Sequence, residues 1–262
     1  MAYDKVVDST VLENGLSSIA DAIREKGNLG DPLMSPLTFP SGFVSAIEGL
    51  SGGGATEPYT EETYDMSGNL TSAVMHGYTS IRNNAFSGCT KLAWIALPAG
   101  VTTIETYAFY QCTKLALTAL PAGVKTIGSS AFSGCTNLAL TSLPAGVTTI
   151  GTYTFEGCTN LALTALPAGV TTIENNAFYQ CTNLALTALP AGVTTIGNNA
   201  FRGCSSLTTI TFLGTPRGIN TSAFQACSNL TTINVPWAEG AVANAPWGAK
   251  NATINYNYTP EG

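Results

Sequence analysis

Few side chains in this sequence could do chemistry, and their spacing separates them. His76 is the single histidine, and all five aspartates precede it. A Ser-His-Asp or Cys-His nucleophile would have to use His76, which we interpret as a plain surface or cap residue. For glycoside cleavage by paired carboxylates we consider Glu105, Glu156 and Glu174. Glu105 and Glu174 lie three repeats apart, roughly 14 Å at strand spacing, and Glu156 occupies another position. We therefore predict no catalytic site.

The cysteines are predicted to be buried free thiols. Seven of them recur at intervals of 23 residues, and free cysteine packs as a small hydrophobic residue. Disulfides between neighbouring repeats would leave one cysteine unpaired. The sequence has no clustered ligands such as C-x-x-C for a metal and no Gly-rich phosphate loop. We therefore predict no metal and no cofactor.

One unit of 23 residues recurs seven times between Thr79 and Glu239. Its consensus is TTIxxxAFxxCTNLALTALPAGV, in which Ile, Phe, Cys and Leu return at a constant step. Such residues point inward once per coil of a solenoid and build a continuous core. We expect a short parallel strand from the first Leu to the Leu before Pro, and a helical turn or 3₁₀ piece at AFxxC. The predicted fold class is an α/β repeat solenoid.

The last two units depart from the consensus strand. LALTAL is replaced by LTTITF and LTTINV, so that Thr209 and Thr232 occupy the apolar third position. The fourth position becomes apolar instead, at Ile210 and Ile233. We expect a local change of strand register or a small bulge there.

The pattern I-x-x-x-A-F-x-x-C-x-x-L followed by L-P-x-x-V resembles the BspA-type leucine-rich repeats of bacteria and their phages. The resemblance covers residues 79–239, about two-thirds of the chain. It implies a leucine-rich-repeat solenoid with short parallel strands and helical turns, which binds a partner and is not an enzyme.

The N-terminal region is predicted to attach the solenoid to something else. We assign residues 1–50 as a helical attachment and oligomerisation segment, with an amphipathic helix over 9–26 and a second short helix after Pro40. Fifty residues are few for an independent core, so we expect a homo-oligomer, with a trimer favoured. Residues 51–58 are assigned as a Gly-rich linker.

The solenoid should have a cap at each end, because terminal repeats need a polar cover. Residues 59–78 are predicted to form a strand pair that turns at Ser67-Gly68 and covers the first coil. Residues 240–262 form the C-terminal cap, and Trp237 and Trp247 are expected to cover the last coil.

A second resemblance concerns the two ends of the chain. The stretch LSSIADAIREKG…LTFPSGFVSAIEGL and the ending VPW…APWGA…I-x-Y are similar to structural proteins of phages and prophages of Gram-positive gut bacteria. This implies a virion protein, such as a tail fibre, assembled in the host cytoplasm. Its N-terminal helices would join other virion proteins, and its repeats would bind a host-surface glycan or protein. A BspA-like adhesin on the bacterial cell surface and an intracellular protein-binding scaffold are the alternatives.

Two spots vary between units that are otherwise nearly copied: the three residues after the Ile and the two residues after the Phe. Equivalent positions stack in register, so these spots form adjacent stripes on one side of the solenoid. Tyrosines beside amides suit sugar or protein recognition, whereas exposed positions that drift freely are the alternative. The candidate binding residues are Tyr107, Tyr110, Tyr153, Tyr179, Asn175, Asn176, Asn198, Asn199 and Arg202.

Composition argues against several other functions. Charged residues make up 10% of the chain, against roughly 25% in typical soluble domains. The acidic excess lies in residues 1–78, and no basic patch suited to nucleic acid is visible. No apolar run reaches the ~20 residues that span a bilayer. The first ten residues lack a signal-peptide pattern, so we expect synthesis in the cytoplasm without export by that route.

Overall fold

The computed structural model describes residues 58–259, where every regular element is a short β-strand. No helix occurs in this range, so none there could cross a membrane. We number the coils one to seven by their phenylalanines, from Phe86 to Phe224. The strands are β1 (Tyr59–Tyr64), β2 (Leu70–His76), β3 (Ser80–Ile81), β4 (Trp94–Ala96), β5 (Thr103–Ile104), β6 (Thr126–Ile127), β7 (Thr149–Ile150), β8 (Thr172–Ile173), β9 (Ala188–Leu189), β10 (Thr195–Ile196), β11 (Thr209–Phe212), β12 (Gly218–Ile219), β13 (Thr232–Asn234) and β14 (Thr253–Asn255).

Each coil contributes a two-residue strand that ends on the repeated isoleucine. Thr and Ile are β-branched and favour extended backbone. These seven strands form two parallel sheets, in the orders β3-β5-β6 and β7-β8-β10-β12. Ile pairs with Ile between neighbouring coils, as Ile104 does with Ile127 and Ile173 with Ile196. Because all seven isoleucines are buried, this column of strands lines one side of the core.

The strand predicted between the first Leu and Pro is wrong for the central coils. Three of the four coils that carry LALTAL or LALTSL have no strand there. Their inward residues are the first, third and sixth, as at Leu138, Leu140 and Leu143. Two successive residues therefore face outward, which interrupts the alternation of a strand. One bond between coils remains at each turn, such as Ala139 N–H to Leu117 O at 3.0 Å.

The change of register expected at the last two coils is confirmed. In coil six the inward residues are the first, fourth and sixth, so that Ile210 and Phe212 are buried while Thr209 and Thr211 are partly exposed. This alternation gives β11, and the same pattern gives β13. The first coil has Ile95 at the equivalent fourth position, where β4 forms.

The AFxxC segment forms consecutive β-turns, and the predicted helical turn is wrong. In coil two, Cys112 N–H bonds back to Phe109 O at 3.1 Å, but Phe109 N–H bonds to Ala131 O of the next coil at 2.8 Å. Local and inter-coil bonds alternate in this way along the segment. The backbone is left-handed at Tyr107 and Gln111, with φ of +56° and +58°. A right-handed helix cannot continue through such residues, so the repeats are all-β.

Stacked phenylalanines form the centre of the core. One ring per coil lies nearly parallel to the next, with centroids 5.2–5.7 Å apart and interplanar angles of 4–10°. The spacing follows the separation of paired strands, so the rings fill the interior continuously. The column consists of Phe86, Phe109, Phe132, Phe155, Phe178, Phe201 and Phe224.

The seven cysteines are free thiols beside this column, and six are buried as predicted. From coil two onward, each Sγ lies 2.9–3.1 Å from the carbonyl oxygen of the phenylalanine 26 residues earlier. Burial raises the pKa of the Cys158 and Cys181 thiols, and that of Cys227 to about 12. These thiols therefore stay protonated and donate. Cys89 has no preceding coil and is only partly buried.

The hairpin predicted before the first coil is formed by β1 and β2 in antiparallel register. The Asp65 carboxylate shapes its turn by accepting the N–H groups of Ser67 and Asn69, each at 2.9 Å. These bonds, that to Asn69 first, lower the pKa of Asp65. Strand β2 also pairs in parallel with β4, aligning Ala73 with Ile95. The hairpin thus extends the sheet of the first coil.

The two tryptophans cover the last coil as predicted. Trp247 is fully buried, and its ring centroid lies 6.3 Å from that of Trp237. Phe212 lies 5.3 Å from Trp237 and 6.0 Å from Trp247. Phe224 N–H, which would bond to an eighth coil, donates instead to Trp247 O at 2.9 Å. The segment after coil seven therefore replaces the missing neighbour.

The predicted helical segment at residues 1–50 lies outside the described residues. So does the predicted linker at 51–58, apart from Pro58.

Candidate binding face

The residues that vary between coils lie together on one side of the solenoid. They follow the buried Ile and Phe of each coil, and bonds such as Phe109 N–H to Ala131 O hold neighbouring coils in register there. We define the variable face as residues 105–111 and their equivalents at steps of 23 in coils three to six. All the candidate binding residues lie on this face, but their surroundings differ.

A left-handed backbone accounts for some of the asparagines. At the third position after the Ile, φ lies between +53° and +58° in six coils. Asparagine tolerates this conformation better than most other residues with a side chain. Asn84, Asn176 and Asn199 therefore suit the local backbone. Tyr107 and Tyr153 adopt the same conformation without that preference, so their presence needs another reason.

Two other candidates bond to the neighbouring coil. Asn175 Oδ1 accepts the N–H of Asn198 at 2.8 Å, and Asn198 Oδ1 accepts the hydroxyl of Ser222. Glu174 acts similarly in the other direction, since its Oε2 accepts the N–H and hydroxyl of Thr152 at 2.9 and 2.7 Å. These side chains pair backbone donors that would otherwise need water. Their first role is to join coils.

Neighbouring coils also explain the glycines on the face. A Cβ at Gly128 would lie 2.5 Å from Thr106 N, and one at Gly134 would lie 2.4 Å from Gln111 Nε2. A coil with large residues at these positions therefore requires small ones in the next. Part of the variation between units is packing complementarity.

Three tyrosines are not explained in this way. Tyr107, Tyr110 and Tyr153 are 43%, 36% and 40% exposed. The Tyr107 and Tyr110 rings meet edge to face, with centroids 5.5 Å apart at 89°, which holds the pair in a defined orientation. We call these three residues the aromatic patch.

Small side chains separate the two halves of the aromatic patch. Ser130 and Ser133 of coil three occupy the same positions as Tyr107 and Tyr110, but are only 6% and 3% exposed. The Ser133 hydroxyl donates to Glu156 Oε2 of coil four at 3.0 Å. Along the solenoid, the patch therefore reads aromatic, small, aromatic, with a carboxylate beside it.

The remaining two candidates pair with each other. The Arg202 guanidinium carbon lies 5.7 Å from the centroid of the Tyr179 ring, a cation–π contact. Coils two to five of the variable face otherwise carry the carboxylates Glu105, Glu156 and Glu174. The aromatic patch therefore lies in a negative environment.

Two features of the surface were missed by sequence reasoning. Glu156 was considered only as a possible catalytic acid, although it stands at the same unit position as Tyr110. Trp94, which is 53% exposed in β4, was not considered at all. The signal for it was present, because LAWI replaces LALT in the first unit.

His76 lies apart from the variable face, on β2. Its ring stacks on Tyr59 at 4.4 Å, and its Nε2 lies 3.3 Å from Glu61 Oε1. Within residues 58–259, no group of three or more His, Cys, Asp or Glu residues could hold a metal ion. What the described residues offer is a rigid surface suited to binding.

The stacked coils, with one inward set of Ile, Phe, Cys and Leu per turn, define a leucine-rich-repeat solenoid. The family described as BspA type leucine rich repeat region (6 copies) matches residues 60–185 and 138–241. The chain therefore belongs to the BspA-type leucine-rich-repeat family. Proteins of this family and fold are typically non-enzymatic interaction proteins.

Similar solved structures include three bacterial leucine-rich-repeat proteins. The protein from T. pallidum is 28% identical, the match covers 65% of this chain and 87% of that one, and the TM-score is 0.53. The protein from Bacteroides ovatus is 20% identical over 75% of each chain, with a TM-score of 0.49. A leucine rich cell surface protein from Faecalibacterium prausnitzii is 28% identical, covering 72% of this chain and 60% of that one, with a TM-score of 0.45. A search of curated proteins found no match.

Proposed function

We propose that this protein is a recognition protein whose solenoid presents the aromatic patch to a glycan or protein on a cell surface. The observation that carries the proposal is the pair Tyr107 and Tyr153. Both are well exposed, and both hold a left-handed backbone that costs about 1–2 kcal/mol for an ordinary residue. Asparagine at the same position in other coils avoids part of that cost. Backbone strain at an exposed aromatic residue is typical of binding sites.

The setting we propose is a phage particle. The N-terminal segment joins the protein to other virion proteins as a homo-oligomer, with a trimer favoured, and the solenoid faces the host. The support for this is the resemblance of residues 16–50 and of the VPW…APWGA ending to phage and prophage structural proteins.

A bacterial surface adhesin is the second candidate, favoured by membership in a family whose proteins are often found at the cell surface. Detection of the protein in purified particles, and not in the cell-wall fraction, supports the virion setting. The reverse distribution would favour the adhesin.

Cell binding by the full chain tests the recognition function. We expect the double variant Tyr107→Asn/Tyr153→Asn to bind intact host cells about tenfold to a hundredfold more weakly, the effect of losing two aromatic contact residues. Leu213→Asn is the matched control, because Leu213 is 50% exposed and lies outside the variable face. Unchanged binding by the double variant, in a protein that keeps its circular dichroism spectrum, would remove the aromatic patch as the binding site.

A further inference from the structure

The geometry of the aromatic patch points to an extended, neutral β-1,4-linked glycan that runs along the solenoid axis with one sugar residue per coil. We infer this ligand class from the spacing, the small residues and the charges of the patch. The inference rests on the proposed function and specifies its ligand.

The first argument is spacing. Between coils two, three and four the phenylalanine rings step by 5.3 and 5.7 Å, and paired strands step by about 4.8 Å. One sugar residue in an extended chain has a comparable length. In a β-1,4-linked ribbon each ring is turned over relative to the last, so every second ring presents the same face. Tyr107 and Tyr153 occupy the same coil position two coils apart, and can therefore each pack against that face.

The second argument concerns the coil between them. The intervening sugar ring presents its other face and needs a low surface, which Ser130 and Ser133 supply because they are small and nearly covered. Glu156 Oε2 already accepts the Ser133 hydroxyl. A carboxylate has several further acceptor sites, which suit the hydroxyl groups of a sugar.

The third argument is charge. Glu105, Glu156 and Glu174 lie along coils two to five of the variable face. The nearest cation on this face, Arg202, is stacked on Tyr179. An anionic glycan would be repelled by these carboxylates, so a neutral chain is the ligand that fits.

Calorimetric titration of the full chain with defined oligosaccharides tests this inference. We expect chitotetraose or cellotetraose to bind about two- to tenfold more tightly than the corresponding disaccharide, because only the longer chain reaches both aromatic positions. Tyr153→Asn should reduce the affinity for the tetrasaccharide to that for the disaccharide, whereas Leu213→Asn should leave it unchanged. Maltotetraose, whose α-linked chain curves, should bind more weakly than either β-linked tetrasaccharide.

Several results would overturn the inference. Equal affinity for disaccharide and tetrasaccharide, or for the α-linked and β-linked chains, would exclude an axial chain with one residue per coil. If cell binding depends on Tyr107 and Tyr153 but none of these sugars binds or competes, this ligand class is wrong while the recognition function stands. If cell binding does not depend on the tyrosines, the recognition function itself fails.

Discussion

Replacing Tyr153 by Asn or by Ala isolates the backbone strain on which the proposed function depends. Both substitutions remove the ring, so both lose the same packing. They differ in how well the new residue accepts φ of +57°. Asparagine tolerates the left-handed region, whereas alanine meets the full clash of Cβ with the backbone. The difference between the two variants therefore reports the backbone alone.

The expected size of this difference follows from the conformation. A left-handed residue costs about 1–2 kcal/mol when its side chain has no local compensation, and asparagine recovers part of this. We expect Tyr153→Asn to be more stable than Tyr153→Ala by about 0.5–1 kcal/mol. For a protein of this size that difference raises the Tm by about 1–4 °C.

Urea unfolding followed by circular dichroism measures the difference, with Tyr110 as the internal control. Tyr110 is similarly exposed but has no positive φ. At that position alanine should be at least as stable as asparagine. If the Ala variant equals or exceeds the Asn variant at position 153 as well, Tyr153 carries no left-handed strain. The argument for its recognition role then fails.

Four further predictions concern packing and ionisation. Gly128→Ala should lower the free energy of unfolding by about 1–3 kcal/mol, because the new Cβ meets backbone of the preceding coil, whereas Gly169→Ala has room and should change it little; urea titration compares them. Phe155→Ala should cost about 3–5 kcal/mol by opening a gap in the ring column, and a smaller loss would indicate that the column collapses around it. With Ellman's reagent, Cys89 should react in the native protein and all seven thiols after denaturation; fast native reaction of the others would contradict their burial. Bonding to Glu62 raises the pKa of Tyr64 to about 12, so its stabilising effect is complete below pH 10 and lost as the pH rises through 12. The difference in stability between wild type and Tyr64→Phe should close over that range.

The sequence by itself determined the features that depend on period. Ile, Phe and Cys return every 23 residues, so burying one of each places all of them in a single interior, whatever the path of the chain between them. The two tryptophans after the last unit and the strand pair before the first could be predicted as caps, because an apolar column must end on something. Exposed Tyr107, Tyr110 and Tyr153 could be placed on one face by the same reasoning.

Only the tertiary structure decided how the backbone satisfies its hydrogen bonds. AFxxC was read as a helical turn because its residues allow one, but the next coil offers closer acceptors and the chain adopts left-handed residues to reach them. That choice separates Asn176 and Asn199, which suit the backbone, from Tyr107 and Tyr153, which oppose it. The burial of Ser130 likewise depends on the larger side chains in the coils on either side. Such facts belong to pairs of coils, and a single unit of sequence does not contain its neighbour.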